Sequence, residues 1–153
     1  MVRAGGSAVL RRAHPSGIER KWTCILDSLA SKQTILIVDD EEMVLTLGRI
    51  VLERRGYQVH VALSGSDAIA LCRDLAMPLD CVIIDYTMPV MNGRDTLVEI
   101  RKILPSIPAI ISSGHSDEEI SVEMSGLNVS GMIHKPYRQE SLVAVLEEVL
   151  ASI

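Results

Sequence analysis

The chain has 153 residues, of which 48% are apolar, and its formal net charge is −5. This length is typical of one domain and is large enough to bury a hydrophobic core. Its longest apolar runs have the length of short strands, and its first residues lack the continuous apolar segment of a secretory signal, so we expect neither membrane insertion nor secretion. The three cysteines and four histidines do not cluster, which argues against a zinc site and favours reduced thiols in a cytoplasmic protein.

Charge divides the chain into a basic leader and an acidic domain. Residues 1–33 carry six lysines and arginines against two acids, whereas residues 34–153 carry nine against eighteen. An acidic domain argues against direct nucleic-acid binding. We expect the leader to be partly disordered, with an amphipathic helix over 18–30 that docks on the domain or on a partner. A remnant of a longer parent protein is the alternative.

The first predicted strand, 34–38, is a continuous β-rich run that ends on two aspartates, Asp39 and Asp40. A helix follows and stops at Gly56. Its apolar spacing predicts a buried stripe made of Met43, Val44, Leu47, Ile50 and Val51.

A second strand is predicted at 57–63, and Ser64 resembles a capping residue at the start of the next helix, which Pro78 ends. The third strand, 81–84, is an uncharged apolar run typical of a strand that is buried on both faces. This strand ends abruptly on the carboxylate of Asp85, so the acid lies where a buried strand meets its loop.

The rest of the chain supplies three more helices and two more strands. We predict these helices at 93–104, 116–126 and 139–150, and these strands at 109–113 and 132–134. Ser116 opens a full capping box for its helix. Five strands that alternate with five helices through short loops predict an α/β fold, a flavodoxin-like (βα)5 open parallel sheet of strand order 2-1-3-4-5 with helices on both faces.

Polar side chains stand where four of the predicted strands end: Asp39 and Asp40, Asp85, Ser113 and Lys135. In this strand order the carboxyl ends of the first and third strands lie side by side. Three carboxylates repel one another unless a cation neutralises them, and oxygen ligands without His or Cys suit Mg²⁺. A lysine and a hydroxyl nearby suit a phosphoryl group, so the strand ends predict a site that places a phosphoryl group on Asp85. Helix capping is the simpler account of the acidic pair alone, but it leaves the other strand ends unexplained.

One motif carries a resemblance to a known family. The run from Asp85 to Gly93, DYTMPVMNG, matches the pattern D-x-x-M-P-x-M-x-G. The acidic pair, the serine and the Lys-Pro-aromatic step at Lys135 follow in the same order and spacing. Over about residues 34–151 the chain therefore resembles the receiver domain of two-component response regulators.

The resemblance implies roles for the acidic residues. Asp85 would be the phosphoacceptor and a ligand of Mg²⁺. Asp40 would coordinate the ion directly, Asp39 largely through water, and Thr87 through its backbone carbonyl. The domain would also catalyse its own phosphorylation from small phosphodonors and its own dephosphorylation.

The resemblance also implies a switch. Ser113 would hydrogen-bond one phosphoryl oxygen and Lys135 would pair with another, and the Lys135–Pro136 bond is expected to be cis. Movement of Ser113 would reshape a face made by the last two helices and the fifth strand, through which a downstream protein binds. In most relatives an aromatic residue on the fifth strand follows the hydroxyl inward; here Met132 holds that position, which puts the usual aromatic switch in doubt although a flexible Met could still repack.

Two alternatives use the same residues differently. A phosphatase of the haloacid dehalogenase class needs a second aspartate two residues after the nucleophile, where this chain has Thr87. A receiver-like protein that binds partners without phosphorylation is disfavoured by the complete set of site residues. In relatives, the positions two residues beyond the phosphoacceptor and two residues beyond the hydroxyl tune hydrolysis of the aspartyl phosphate. Thr87 and His115 hold these positions here, although a solvent-facing loop residue is the simpler interpretation of His115.

The predicted function is a phosphorylation-controlled signalling receiver rather than an enzyme that turns over an external substrate. A histidine kinase or phosphotransfer protein would deliver the phosphoryl group. We expect no attached output domain, because the last predicted helix reaches the end of the chain. A single-domain receiver and the receiver of a hybrid histidine kinase both fit.

Overall fold

A computed structural model describes residues 32–74 and 78–153, in which strands and helices alternate. The five strands are β1 (Thr34–Val38), β2 (Gln58–Ala62), β3 (Cys81–Asp85), β4 (Ala109–Ser113) and β5 (Gly131–His134). The five helices are α1 (Glu42–Arg54), α2 (Gly65–Asp74), α3 (Gly93–Ile103), α4 (Asp117–Glu123) and α5 (Gln139–Ala151). The predicted alternation of five strands and five helices is confirmed.

The strands form one parallel sheet in the order β2-β1-β3-β4-β5, so the predicted flavodoxin-like order 2-1-3-4-5 is also confirmed. Val38, the last residue of β1, pairs with Ile84 of β3. Asp39, which directly follows β1, and Asp85, the last residue of β3, therefore lie side by side. Ser113, at the end of β4, pairs with His134 at the end of β5. The register thus brings all the predicted site residues to one edge of the sheet.

Each face of the sheet carries its own hydrophobic core. One core lies under α2, α3 and α4, and its largest fully buried side chains are Leu36, Ile84, Leu97, Ile100, Ile111 and Ile120. The other lies under α1 and α5, with Ile35, Leu52, Ile83, Ile110, Leu142 and Leu146. Each of these side chains stabilises the fold by about 1.5–3 kcal/mol. β1, β3 and β4 are buried along their whole length, which holds the ends that carry the site in fixed positions.

The buried face of α1 differs from the predicted stripe. Leu45, Gly48 and Leu52 face the sheet, whereas Met43 and Leu47 of the predicted stripe are 71% and 52% exposed. The prediction was wrong because α1 has apolar residues around most of its circumference, so their spacing does not single out one face. Gly48 allows a close approach to β1, since a Cβ there would lie 3.0 Å from Cδ1 of Ile37. Met43 and Leu47 lie away from this contact and remain in solvent.

The last two helices also differ in detail from the sequence prediction. The capping box of α4 is present, with Ser116 and Glu119 each accepting a backbone N–H of the other. The helix ends at Glu123, three residues before the predicted stop at Gly126, which has a left-handed φ of 83° in the following turn. α5 ends at Ala151, one residue past its predicted end, and it buries Leu142, Val143, Leu146 and Val149.

Other predictions fall partly or wholly beyond the described residues. The leader over 1–33 and its helix over 18–30 lie almost entirely outside them, so the division into leader and domain stays a prediction. Within residues 32–74 and 78–153, each helix is too short or too polar to cross a lipid bilayer. Cys72 and Cys81 are buried free thiols, as the sequence predicts.

Candidate functional site

The ends of four strands, at the carboxyl edge of the sheet, carry the site. Asp39 directly follows β1, Asp85 is the last residue of β3, Ser113 is the last residue of β4, and Lys135 directly follows β5. Ligands of open parallel sheets bind above this edge, where the order of the strands reverses. Because β1 and β3 lie at that reversal, their two aspartates occupy the centre of the site.

Three carboxylates converge at this point. One oxygen from each of Asp39, Asp40 and Asp85 lies within 4.8 Å of the others. Asp39 and Asp85 are buried, with exposed fractions of 2% and 5%, whereas Asp40 faces solvent. Backbone amides fix the buried pair: the N–H of Glu41 donates to Oδ1 of Asp39 over 2.9 Å, and the N–H of Thr87 points to Oδ1 of Asp85 over a longer 3.4 Å.

Lys135 joins the two buried carboxylates. Its Nζ lies 2.6 Å from Oδ2 of Asp39 and 3.2 Å from Oδ1 of Asp85. Burial by itself lowers the pKa of Lys135, but the hydrogen bonds and charges of Asp39 and Asp85 outweigh burial and raise it, so the ammonium stays charged. The backbone N–H of Lys135 donates to the carbonyl of Ser113 over 2.8 Å, and the Lys135–Pro136 bond is cis, as predicted.

The surroundings of Asp85 disfavour its ionised form. Burial, and then the negative charge of Asp39, raise the pKa of Asp85 from 3.8 to about 6, although Lys135 acts in the opposite direction. The carboxylate is therefore charged at neutral pH in a place that disfavours charge. A cation bound next to Asp85 would therefore stabilise its charged form.

Ser113 lies beside this cluster and is 2% exposed. Its hydroxyl oxygen accepts the backbone N–H of His115 over 2.9 Å and lies 3.3 Å from Nδ1 of the same residue. The imidazole of His115 in turn meets the ring of Tyr86 edge-on, with centroids 6.0 Å apart.

Residues 35–147 match the family described as the response regulator receiver domain. The chain belongs to this family. It is 34% identical over 122 residues to the sensor kinase CckA of Brucella abortus, and 35% identical over 123 residues to the transcriptional regulatory protein ZraR of Salmonella typhimurium. Each match covers 80% of this chain but only 13% of CckA and 27% of ZraR, so the chain spans well under a third of these relatives.

Solved receiver structures share the fold. The chemotaxis protein CheY4 of Vibrio cholerae superposes with a TM-score of 0.73 and 26% identity, over 78% of this chain and 99% of CheY4. A CheY-like receiver domain of Methanospirillum hungatei gives 0.73 and 27%, over 80% of this chain and 96% of that one. The chain is thus a receiver domain of two-component signalling.

The acidic cluster of the receiver domain fits a divalent metal ion. Three carboxylates face one lysine, so the cluster has an excess of negative charge, and burial together with the charge of Asp39 raises the pKa of Asp85. Its donors are hard oxygens, which Mg²⁺ and Ca²⁺ prefer. Asp39, Asp40 and Asp85 could therefore hold a metal ion together. Thr87, the fourth predicted ligand, is exposed in the loop that follows β3.

Gly93 shows why the receiver motif ends in glycine. A Cβ at this position would lie 2.5 Å from the carbonyl oxygen of Asp85 and 2.8 Å from Cα of Tyr86. Both atoms are backbone, so a side chain could not be accommodated by rotation. The N–H of Gly93 also donates to the carbonyl of Tyr86 over 2.8 Å, which closes the loop after Asp85. The sequence motif marks Gly93, but only the structure supplies this reason.

Some contacts around the site had no signal in the sequence. His134 forms a pair with Asp117, the first residue of α4, with Nε2 2.9 Å from Oδ1. No local pattern of the sequence links His134 to α4. Met132 is half-buried against the core that underlies α4, so a flexible side chain fills the position at which the resemblance implies an aromatic switch residue.

Proposed function

We propose that this receiver domain accepts a phosphoryl group on Asp85 from the phosphohistidine of a histidine kinase or phosphotransfer protein, in a Mg²⁺-dependent reaction that switches a protein-interaction face. The observation that carries the proposal is the gathering of Asp39, Asp40 and Asp85 within 4.8 Å, with Nζ of Lys135 3.2 Å from Asp85. A buried carboxylate beside an ammonium and a metal-binding pair suits an acceptor of a group with three anionic oxygens.

In the proposed transfer, a carboxylate oxygen of Asp85 attacks phosphorus. The P–N bond of the phosphohistidine breaks, and its electron pair returns to the imidazole nitrogen, which takes a proton from solvent. Lys135, held by Asp39, would pair with one phosphoryl oxygen. Asp40, Asp85 and the carbonyl of Thr87 would hold Mg²⁺ directly and Asp39 largely through water, and the ion would neutralise charge on the phosphoryl oxygens. The same residues would support phosphorylation by small phosphodonors and hydrolysis of the aspartyl phosphate.

The proposed output face consists of α4, β5 and α5. Two contacts support its coupling to the site: the backbone bond from Lys135 to Ser113, which ties β5 to β4, and the pair between His134 and Asp117, which ties β5 to α4. A hydroxyl of Ser113 that moves toward a phosphoryl group would pull on the loop before α4. We expect a downstream protein, rather than nucleic acid, to bind this face.

An apolar stripe on α1 supports a protein as the phosphodonor. Met43, Leu47 and Ile50 are 71%, 52% and 41% exposed, and their spacing places them along one side of the helix. α1 begins at Glu42, two residues after Asp40, so the stripe starts beside the site. Exposed apolar residues in a row are typical of an interaction surface. The buried free thiols Cys72 and Cys81 suit a reducing compartment, so we place the reaction in the cytoplasm.

Intact-mass spectrometry after incubation with acetyl phosphate and Mg²⁺ tests the proposal. Wild type should gain one phosphoryl group, and the Asp85→Asn variant should gain none, because the amide cannot form an acyl phosphate. A chelator should suppress the wild-type reaction. Equal labelling of both proteins would mean that Asp85 is not the acceptor. Loss of labelling in wild type, with Mg²⁺ binding intact, would favour a receiver that binds partners without phosphorylation.

A further inference from the structure

The hydroxyl of Ser113 has both of its hydrogen-bond partners on His115, as far as residues 32–74 and 78–153 show. The backbone N–H of His115 donates to Oγ over 2.9 Å, and Nδ1 of the imidazole lies 3.3 Å from the same oxygen. The ring of Tyr86 packs edge-on against the imidazole at an interplanar angle of 74°. An exposed loop side chain is thus held in one orientation by two contacts.

The direction of the contact with the imidazole depends on the tautomer of His115. A serine hydroxyl has one proton to donate and two lone pairs that accept. The amide of His115 occupies one lone pair, which leaves the hydroxyl proton and the second lone pair for the contact with Nδ1. In the tautomer that carries its proton on Nε2, the hydroxyl donates to Nδ1, and its proton is directed at His115 and not at Asp85. A hydroxyl that donates to a phosphoryl oxygen on Asp85 must first leave the imidazole.

We propose that His115 carries its proton on Nε2 and is a positioning residue of the switch, whose imidazole accepts the Ser113 hydroxyl proton in the unphosphorylated arrangement and so opposes engagement of a phosphoryl group on Asp85. This inference rests on the proposed function and adds to it the residue that sets the balance between the two arrangements. The interaction is a neutral hydrogen bond with one exposed partner, so its loss should shift that balance by about two- to fivefold.

Binding of beryllofluoride with Mg²⁺, a phosphoryl analogue, measures the balance without turnover. We would follow the titration by amide chemical shifts, so that weak binding remains measurable. The proteins to compare are wild type, His115→Ala, His115→Asn, Ser113→Ala and the double variant Ser113→Ala/His115→Ala. Alanine removes the imidazole but keeps the backbone N–H. Asparagine places Oδ1 where Nδ1 stands in histidine, so it preserves an acceptor for the hydroxyl.

His115→Ala should bind beryllofluoride about two- to fivefold more tightly than wild type, and His115→Asn should bind like wild type. In the Ser113→Ala background, removal of the imidazole should change nothing, because its partner is gone. Three results would overturn the inference. Binding does not tighten in His115→Ala, it tightens equally in the wild-type and Ser113→Ala backgrounds, or His115→Asn binds like His115→Ala.

An Asp85→Asn variant separates this inference from the proposed function. If wild type and Asp85→Asn bind the analogue equally, the proposed acceptor is wrong and the inference fails with it. If binding requires Asp85 but His115 has no effect through Ser113, the acceptor stands and the positioning role alone is refuted.

Discussion

Asp85 is a carboxylate buried beside another carboxylate, and both conditions disfavour its charge. They raise its pKa to about 6, above the ordinary value of 3.8, so the folded protein binds this proton more tightly than the unfolded chain does. The resulting stabilisation is fully present below about pH 3.8 and is lost as the pH rises through about 6. At neutral pH the charge on Asp85 therefore lowers the stability of the domain.

The Asp85→Asn variant should remove this penalty. Without divalent cations at pH 7.5, its free energy of unfolding should exceed that of wild type by about 2 kcal/mol, and the difference should shrink toward zero near pH 4. Urea unfolding at several pH values, with a chelator present, measures the difference. Added Mg²⁺ should stabilise wild type more than the variant and narrow the gap. A gain that does not depend on pH would show that packing, and not ionisation, separates the two proteins.

At the scale of the helix, α1 carries two leucines that differ only in the face they occupy. Leu45 is 3% exposed in the core that it shares with α5, whereas Leu47 is 52% exposed on the apolar stripe. Leu45→Ala should lower the free energy of unfolding by about 2–4 kcal/mol through lost burial and a cavity. Leu47→Ala, its matched control, should cost less than about 1 kcal/mol. Urea unfolding of both variants decides the assignment, and similar losses would contradict the face described for α1.

β1, β3 and β4 were predictable because each is a short apolar run that ends on, or directly before, a polar residue. The order of the strands and the positions of Asp85, Ser113 and Lys135 followed from the alternation of strands with helices and from the receiver motif. The buried face of α1 did not, because the helix is apolar on several sides and the close approach at Gly48 to β1 depends on the sheet being present. The bond between Ser113 and His115 and the pair of His134 with Asp117 are also tertiary contacts, which no local spacing encodes.

At the scale of the whole molecule, hydrogen bonds from within the domain hold the first residues of β1. The N–H of Thr34 donates to Oδ2 of Asp80 over 2.7 Å, and the N–H of Asp80 donates back to the carbonyl of Thr34 over 2.8 Å. The N–H of Gln58 donates to the carbonyl of Gln33, so pairing with β2 begins one residue before β1. The compact unit that contains these contacts runs from Lys32 to Ile153.

Removal of residues 1–31 should therefore leave the receiver domain folded. We expect its midpoint of thermal unfolding to change by less than about 4 °C, and its labelling by acetyl phosphate to stay at the wild-type level. Circular dichroism melts of both proteins at equal concentration provide the measurement. The alternative is that the predicted helix over 18–30 belongs to the core. Its removal would then take away several buried side chains, each of which would contribute about 1.5–3 kcal/mol to stability. A fall of more than about 10 °C would then place the domain boundary before residue 18 and would refute the predicted division at residues 33 and 34.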